Sequence, residues 1–109
     1  MLEKISTSDQ FNQLLNEESK FFVLKHSLTC PISHEAYKQF EKFTGEHPNV
    51  PAYYLAVQEA RPLSNEIADI FQIKHESPQA LLFSSGKAIW NASHWSITNR
   101  SLTDAWSEA

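Results

Sequence analysis

Apolar positions along the chain follow two different periods, and the change from one to the other marks the elements. Phe11, Leu14 and Leu15 follow Ser6-Thr7-Ser8-Asp9 at the spacing of one buried helical face, which predicts a first helix entered there and closing near Glu18. Phe21-Phe22-Val23-Leu24 is instead a continuous run of aromatic and branched residues, which predicts a strand covered on both faces. Ile32, Ala36, Phe40 and Phe43 then draw a helical stripe that begins after Pro31 and ends before Gly45. Pro51 through Val57 predicts another strand, and Leu63, Ile67, Ile70 and Phe71 another helix, entered through Pro62-Leu63-Ser64-Asn65.

After this strand and helix alternation the order changes. Ala80-Leu81-Leu82-Phe83 and Lys87-Ala88-Ile89-Trp90 flank Ser84-Ser85-Gly86, the pattern of an antiparallel hairpin. Thr98 is placed to cap a terminal helix burying Leu102, Ala105 and Trp106. The sum is an α/β fold with a central mixed sheet flanked by helices, a closing β-hairpin and a C-terminal helix. Phe40, Phe71, Trp90 and Trp106 read as core. A length of 109 residues fits one domain over residues 1–109, large enough to bury a core without disulfide or metal staples.

A net charge of -4 argues against nonspecific nucleic-acid binding, which rests on clustered Lys and Arg. The charge is uneven along the chain. Residues 20–42 hold Lys20, Lys25, Lys38 and Lys42 against Glu35 and Glu41, so this segment is the basic part of an acidic protein. Met1-Leu2-Glu3-Lys4-Ile5 lacks the apolar stretch of a secretory signal, and no run of about 18 apolar residues occurs. With a lone cysteine, these features predict a cytoplasmic protein that does not bind membranes.

That cysteine, Cys30, falls where the predicted strand becomes a helix, within Thr29-Cys30-Pro31-Ile32-Ser33. Proline suits the first helical position because its missing N–H would find no partner there and its φ is already helical. Cys30 then sits at or beside the cap, where the free N–H groups of Ile32 and Ser33 and the positive end of the helix dipole favour thiolate over thiol. Ser33 is placed to add a hydroxyl hydrogen bond to the sulfur, but it forms no disulfide. In a C-x-x-C protein a second thiol releases the substrate from the first; here only an external thiol regenerates Cys30. The pattern predicts a monothiol carrier of small-thiol adducts. Lys25 and His26 either raise the positive potential near the sulfur or are solvated residues at the strand end. No metal site is expected, because a strand-to-helix change between His26 and His34 destroys any common helical face. His75-Glu76-Ser77-Pro78-Gln79 precedes the first hairpin strand, with the isomer of Pro78 left open by the sequence.

With the TCPIS turn, preceded by Lys25-His26-Ser27, the Ser77-Pro78 step and the closing hairpin and helix in this order, the chain resembles the thioredoxin superfamily and, within it, the monothiol bacilliredoxin (YtxJ-like) family. The resemblance covers nearly the whole chain. It implies a thioredoxin-like fold and removal of bacillithiol from S-bacillithiolated proteins by transfer to Cys30. Bacillithiol is then the thiol co-substrate, with no tightly bound cofactor, and the protein acts as a monomer. The resemblance also implies that Pro78 is a cis-proline facing Cys30, that the Ser77 backbone meets a substrate strand, and that Lys25 belongs to a basic surface drawing the malate of bacillithiol. Two other readings remain. One is a glutaredoxin-like iron-sulfur carrier, against which Pro31 stands where such proteins have glycine. The other is a noncatalytic thioredoxin-like adaptor.

Overall fold

The computed structural model describes residues 2–108. Five strands form one sheet in the order β1-β3-β2-β4-β5. They are β1 (Leu2–Lys4), β2 (Lys20–His26), β3 (Ala52–Ala56), β4 (Gln79–Ser84) and β5 (Lys87–Ser93). The helices are α1 (Ser8–Glu17), α2 (Pro31–Glu46), α3 (Arg61–Phe71) and α4 (Asn99–Glu108), with a short 3-10 turn, His94–Ser96, ahead of α4. β1 and β2 both run parallel to β3, whereas β4 is antiparallel to β2 and to β5. The mixed sheet predicted from the sequence is therefore observed.

Alternation along β2 decides the layering. Phe22 and Leu24 face α2 and α4, where they join Phe40, Phe43, Leu82 and Leu102. Phe21 and Val23 face the other way, joining Phe11, Leu63, Ile67 and Phe83 beneath α1 and α3. Because β2 has a neighbour on each edge and helices on each face, all six residues from Phe21 to His26 are buried.

Local chemistry accounts for most boundaries. Thr7 caps α1 through a reciprocal box with Gln10. Thr98 Oγ1 accepts the Ser101 N–H at 3.0 Å, the capping expected of it. Ser85 (φ 52) and Gly86 (φ 78) both take the left-handed conformation that a tight hairpin turn requires. Three features differ from the sequence expectation. β1 is an additional edge strand, too short to show a period. α2 runs through Gly45 to Glu46 and is closed by the His47 N–H on Phe43 O, since the helix needs no side chain at Gly45 to continue. β5 extends to Ser93, with a register shift opposite Leu82 and Phe83 that leaves Ile89 exposed. Phe40 is fully buried in the core, while Phe71, Trp90 and Trp106 line its margins, half-buried against it.

Candidate active site

β2 ends at His26, and residues 27–30 carry the chain to Pro31 at the start of α2. Cys30 is the N-cap residue, with extended backbone (φ -99, ψ 122), and its carbonyl accepts the His34 N–H at 3.0 Å as the first helical bond. The thiol is half-buried and makes no capping hydrogen bond. Thr29 and Pro31 beside it are exposed and Ile32 is half-buried. Cys30 therefore lies at the positive end of a 16-residue helix and is partly exposed to solvent.

Ser33 does not serve the sulfur as the sequence suggested. Its side chain is buried, and Oγ accepts the Ser27 N–H at 2.7 Å and shares a 2.9 Å hydrogen bond with His26 Nδ1. The hydroxyl thus ties the end of β2 to the first turn of α2. His26 is itself buried, ringed by His34 at 5.5 Å, Tyr37 at 5.0 Å and Tyr54 at 6.1 Å. Burial, with repulsion from a protonated His34 second, holds its pKa below the ordinary histidine value.

Two further side chains hold the loop that precedes the cysteine. His34 Nε2 lies 3.2 Å from Leu28 O. Gln58, in the turn after β3, accepts the Leu28 N–H on Oε1 at 3.1 Å and donates through Nε2 to Ser27 Oγ at 2.9 Å and Thr29 Oγ1 at 3.4 Å. Sequence reasoning passed over Gln58, and no periodicity marks it: it is a polar residue in a turn, joined to its partners only by folding.

The Ser77-Pro78 peptide is cis. Lys25 pairs with Gln79 across β2 and β4, so Pro78 lies beside the end of β2 from which the Cys30 loop departs. Pro78 is buried, and its carbonyl accepts the His94 N–H at 3.0 Å, which brings the 3-10 turn to the same end of the sheet. Ser77 Oγ is buried and without a hydrogen-bond partner among the described residues.

Lys25 is the clear correction. It is 0% exposed and lies on the α1 and α3 side of the sheet, with Nζ donating to Ser64 O at 2.9 Å and lying 3.3 Å from His75 Nδ1. Removal from water lowers its pKa from 10.5 to about 8. Its ammonium group is enclosed by the fold and does not face a ligand at the surface, and neither it nor His26 is solvated. The basic segment does not become a basic face either. Lys20 sits at the far end of β2, 4.0 Å over the Trp106 ring, and Lys38 and Lys42 lie about 12 and 18 Å along α2 from Cys30 at the helical rise per residue. The burial had a signal in the sequence: carrying the alternation of Phe21 to Leu24 two residues further puts Lys25 and His26 on covered faces.

Among the described residues no group of three or more His, Cys, Asp or Glu side chains converges as metal ligands would. Among the described residues no helix is long and apolar enough to cross a membrane.

The family described as monothiol bacilliredoxin BrxC matches residues 3–102 of this chain. A solved structure described as a candidate oxidoreductase with a thioredoxin fold is 48% identical, covers 96% of this chain and 93% of its own, and superposes with a TM-score of 0.92. A cysteine-to-serine variant of Entamoeba histolytica thioredoxin is 20% identical over 100% of both chains, with a TM-score of 0.77. Malassezia sympodialis thioredoxin is likewise 20% identical, covering 99% of this chain and 90% of its own, with a TM-score of 0.80. The last two likenesses show the fold alone.

Proposed function

This chain belongs to the monothiol bacilliredoxin family, and on that premise we propose that it removes bacillithiol from proteins carrying it as a mixed disulfide. The observation that carries the reading is the setting of Cys30. The chain's one cysteine is half-buried at the N-terminus of α2, and the residue three places on is a serine whose hydroxyl is committed to His26 and Ser27.

In the exchange, the Cys30 thiolate attacks the bacillithiol sulfur of the mixed disulfide. A bond forms between Sγ and that sulfur, the original S–S bond breaks, and the protein thiolate leaves to take a proton from solvent. The attacking sulfur stands at the positive end of α2, where the helix dipole faces its negative charge. With no second thiol in reach, Cys30 keeps bacillithiol until an external low-molecular-weight thiol attacks the adduct. The Ser77 backbone beside Pro78 would pair with the extended segment around the modified cysteine. Since Lys25 is interior, the malate of bacillithiol would be met by the helix dipole and the free N–H groups at the start of α2, not by a lysine.

The test is to mix the reduced protein with a bacillithiolated protein and follow masses. Cys30 is expected to gain one bacillithiol as the partner loses it, and Cys30→Ser to gain none. A partner that keeps its adduct while a glutathionylated equivalent loses it would overturn the proposal.

A further inference from the structure

Outside the thiol itself, three hydrogen bonds from the loop that carries it converge on one exposed side chain of the β3–α3 turn. We infer that Gln58 is a positioning residue for Cys30, acting through the loop that carries it. The inference rests on the thiol-exchange reading of that cysteine.

The carbonyl oxygen and both N–H donors of the Gln58 amide are used within residues 27–29. Oε1 accepts from Leu28 N, and Nε2 donates to Ser27 Oγ and to Thr29 Oγ1. A side chain that serves only to stay solvated has no reason to commit both donors and its oxygen to consecutive residues. The anchor itself is fixed. Val57 N–H bonds His26 O at 2.9 Å, the N–H groups of Glu59 and Ala60 both bond Ala56 O at 2.9 Å, and the Glu59 carboxylate is paired with Lys4. Gln58 therefore transmits the rigidity of β3 to a short loop that otherwise depends on Ser33 and His34.

Thiol-disulfide exchange needs the attacking, central and leaving sulfurs nearly in line, so freedom in the loop subtracts directly from the rate. The bonds are exposed, where each contributes little to global stability. Loss of Gln58 should thus be felt by the reaction and hardly by the fold.

The experiment uses the reduced full-length protein and bis(2-hydroxyethyl) disulfide, a neutral probe. The Cys30 thiolate forms a bond to one probe sulfur, and mercaptoethanol thiolate leaves and is protonated by water. Rates of adduct formation are compared for wild type, Gln58→Met, Ser27→Ala and the double variant. Gln58→Met is expected to slow exchange about threefold to tenfold, with an unchanged thermal midpoint, and to cost less in the Ser27→Ala background because part of the clamp is already gone. A rate equal to wild type, a fall in midpoint without a fall in rate, or two losses that multiply independently would overturn the inference. Should Gln58→Met fail to fold, Gln58→Asn, one methylene too short to span the loop, is read by the same comparison. A wild type that reacts with this probe but not with a bacillithiolated protein would sink the proposed function and leave the role of Gln58 still measurable.

Discussion

Ser33 Oγ stands 2.9 Å from His26 Nδ1, so the residue that occupies the second-thiol place of a C-x-x-C turn is bonded inward, to the strand. Its function in this geometry is to lock β2 to α2. Ser33→Ala strands the Ser27 N–H and a buried imidazole nitrogen, and should lower the unfolding free energy by about 2 kcal/mol. Exchange of Cys30 with a neutral disulfide should slow only a few-fold, through the loosened Ser27 end of its loop. Urea unfolding and the exchange rate check both; a large rate loss at unchanged stability would return the hydroxyl to the sulfur.

Acid should weaken the fold through the same histidine. The His26 pKa is depressed in the folded state, chiefly by burial, and that of His75 is depressed by burial and then by Lys25. Below the ordinary value of 6.5 the unfolded chain takes up protons that the folded chain resists, so this stability is present above that pH and is lost as pH falls. Urea midpoints measured from pH 7 to 5 should decline, and less steeply in His26→Asn. Parallel declines in both proteins would contradict the assignment.

Lys25 acts with the same sign in an alkaline window. Its folded pKa of about 8 lies below 10.5, so between these values the unfolded chain holds a proton that the folded chain has released. Stability from this group therefore rises with pH across that interval, by about 3 kcal/mol at about 1.4 kcal/mol per unit. The raised pKa values of Tyr37 and Tyr53 act in the other sense, but are shared by wild type and Lys25→Met. The difference in unfolding free energy between the two proteins, followed from pH 7.5 to 10, should shift in favour of wild type. A constant difference would mean that Lys25 stays charged in the interior.

Phe22 is the packing centre of the α2 and α4 face, with ring centroids of Phe40, Phe43, Trp90 and Trp106 at 5.7, 5.4, 6.0 and 5.8 Å. Phe22→Ala should cost about 3–5 kcal/mol. Tryptophan emission in the native state should move to the red as Trp90 and Trp106 lose their neighbour, alongside a lower urea midpoint. An unshifted spectrum with full stability would disprove this packing role.

The elements other than β1 were legible because they are marked locally: a spacing of three and four for the helices, the apolar runs of β2 and β4, Thr7 and Thr98 at caps, Ser85-Gly86 at the hairpin turn. Cys30 was legible for the same reason. A cysteine ahead of proline, between a strand pattern and a helix pattern, falls at a helix cap whatever surrounds it.

What folding alone decided are relations between residues far apart in the chain. Gln58 reaches Ser27 across 31 positions, Lys25 reaches Ser64 across 39, and β1 finds β3 by a parallel pairing that three residues cannot announce. A local pattern reports which face of its own element a side chain takes, because backbone geometry sets that period. It does not report which other element covers that face. Hence the charge written next to Cys30 in sequence is elsewhere in space: a lysine counted as surface became interior once α1 and α3 closed over its side of the sheet.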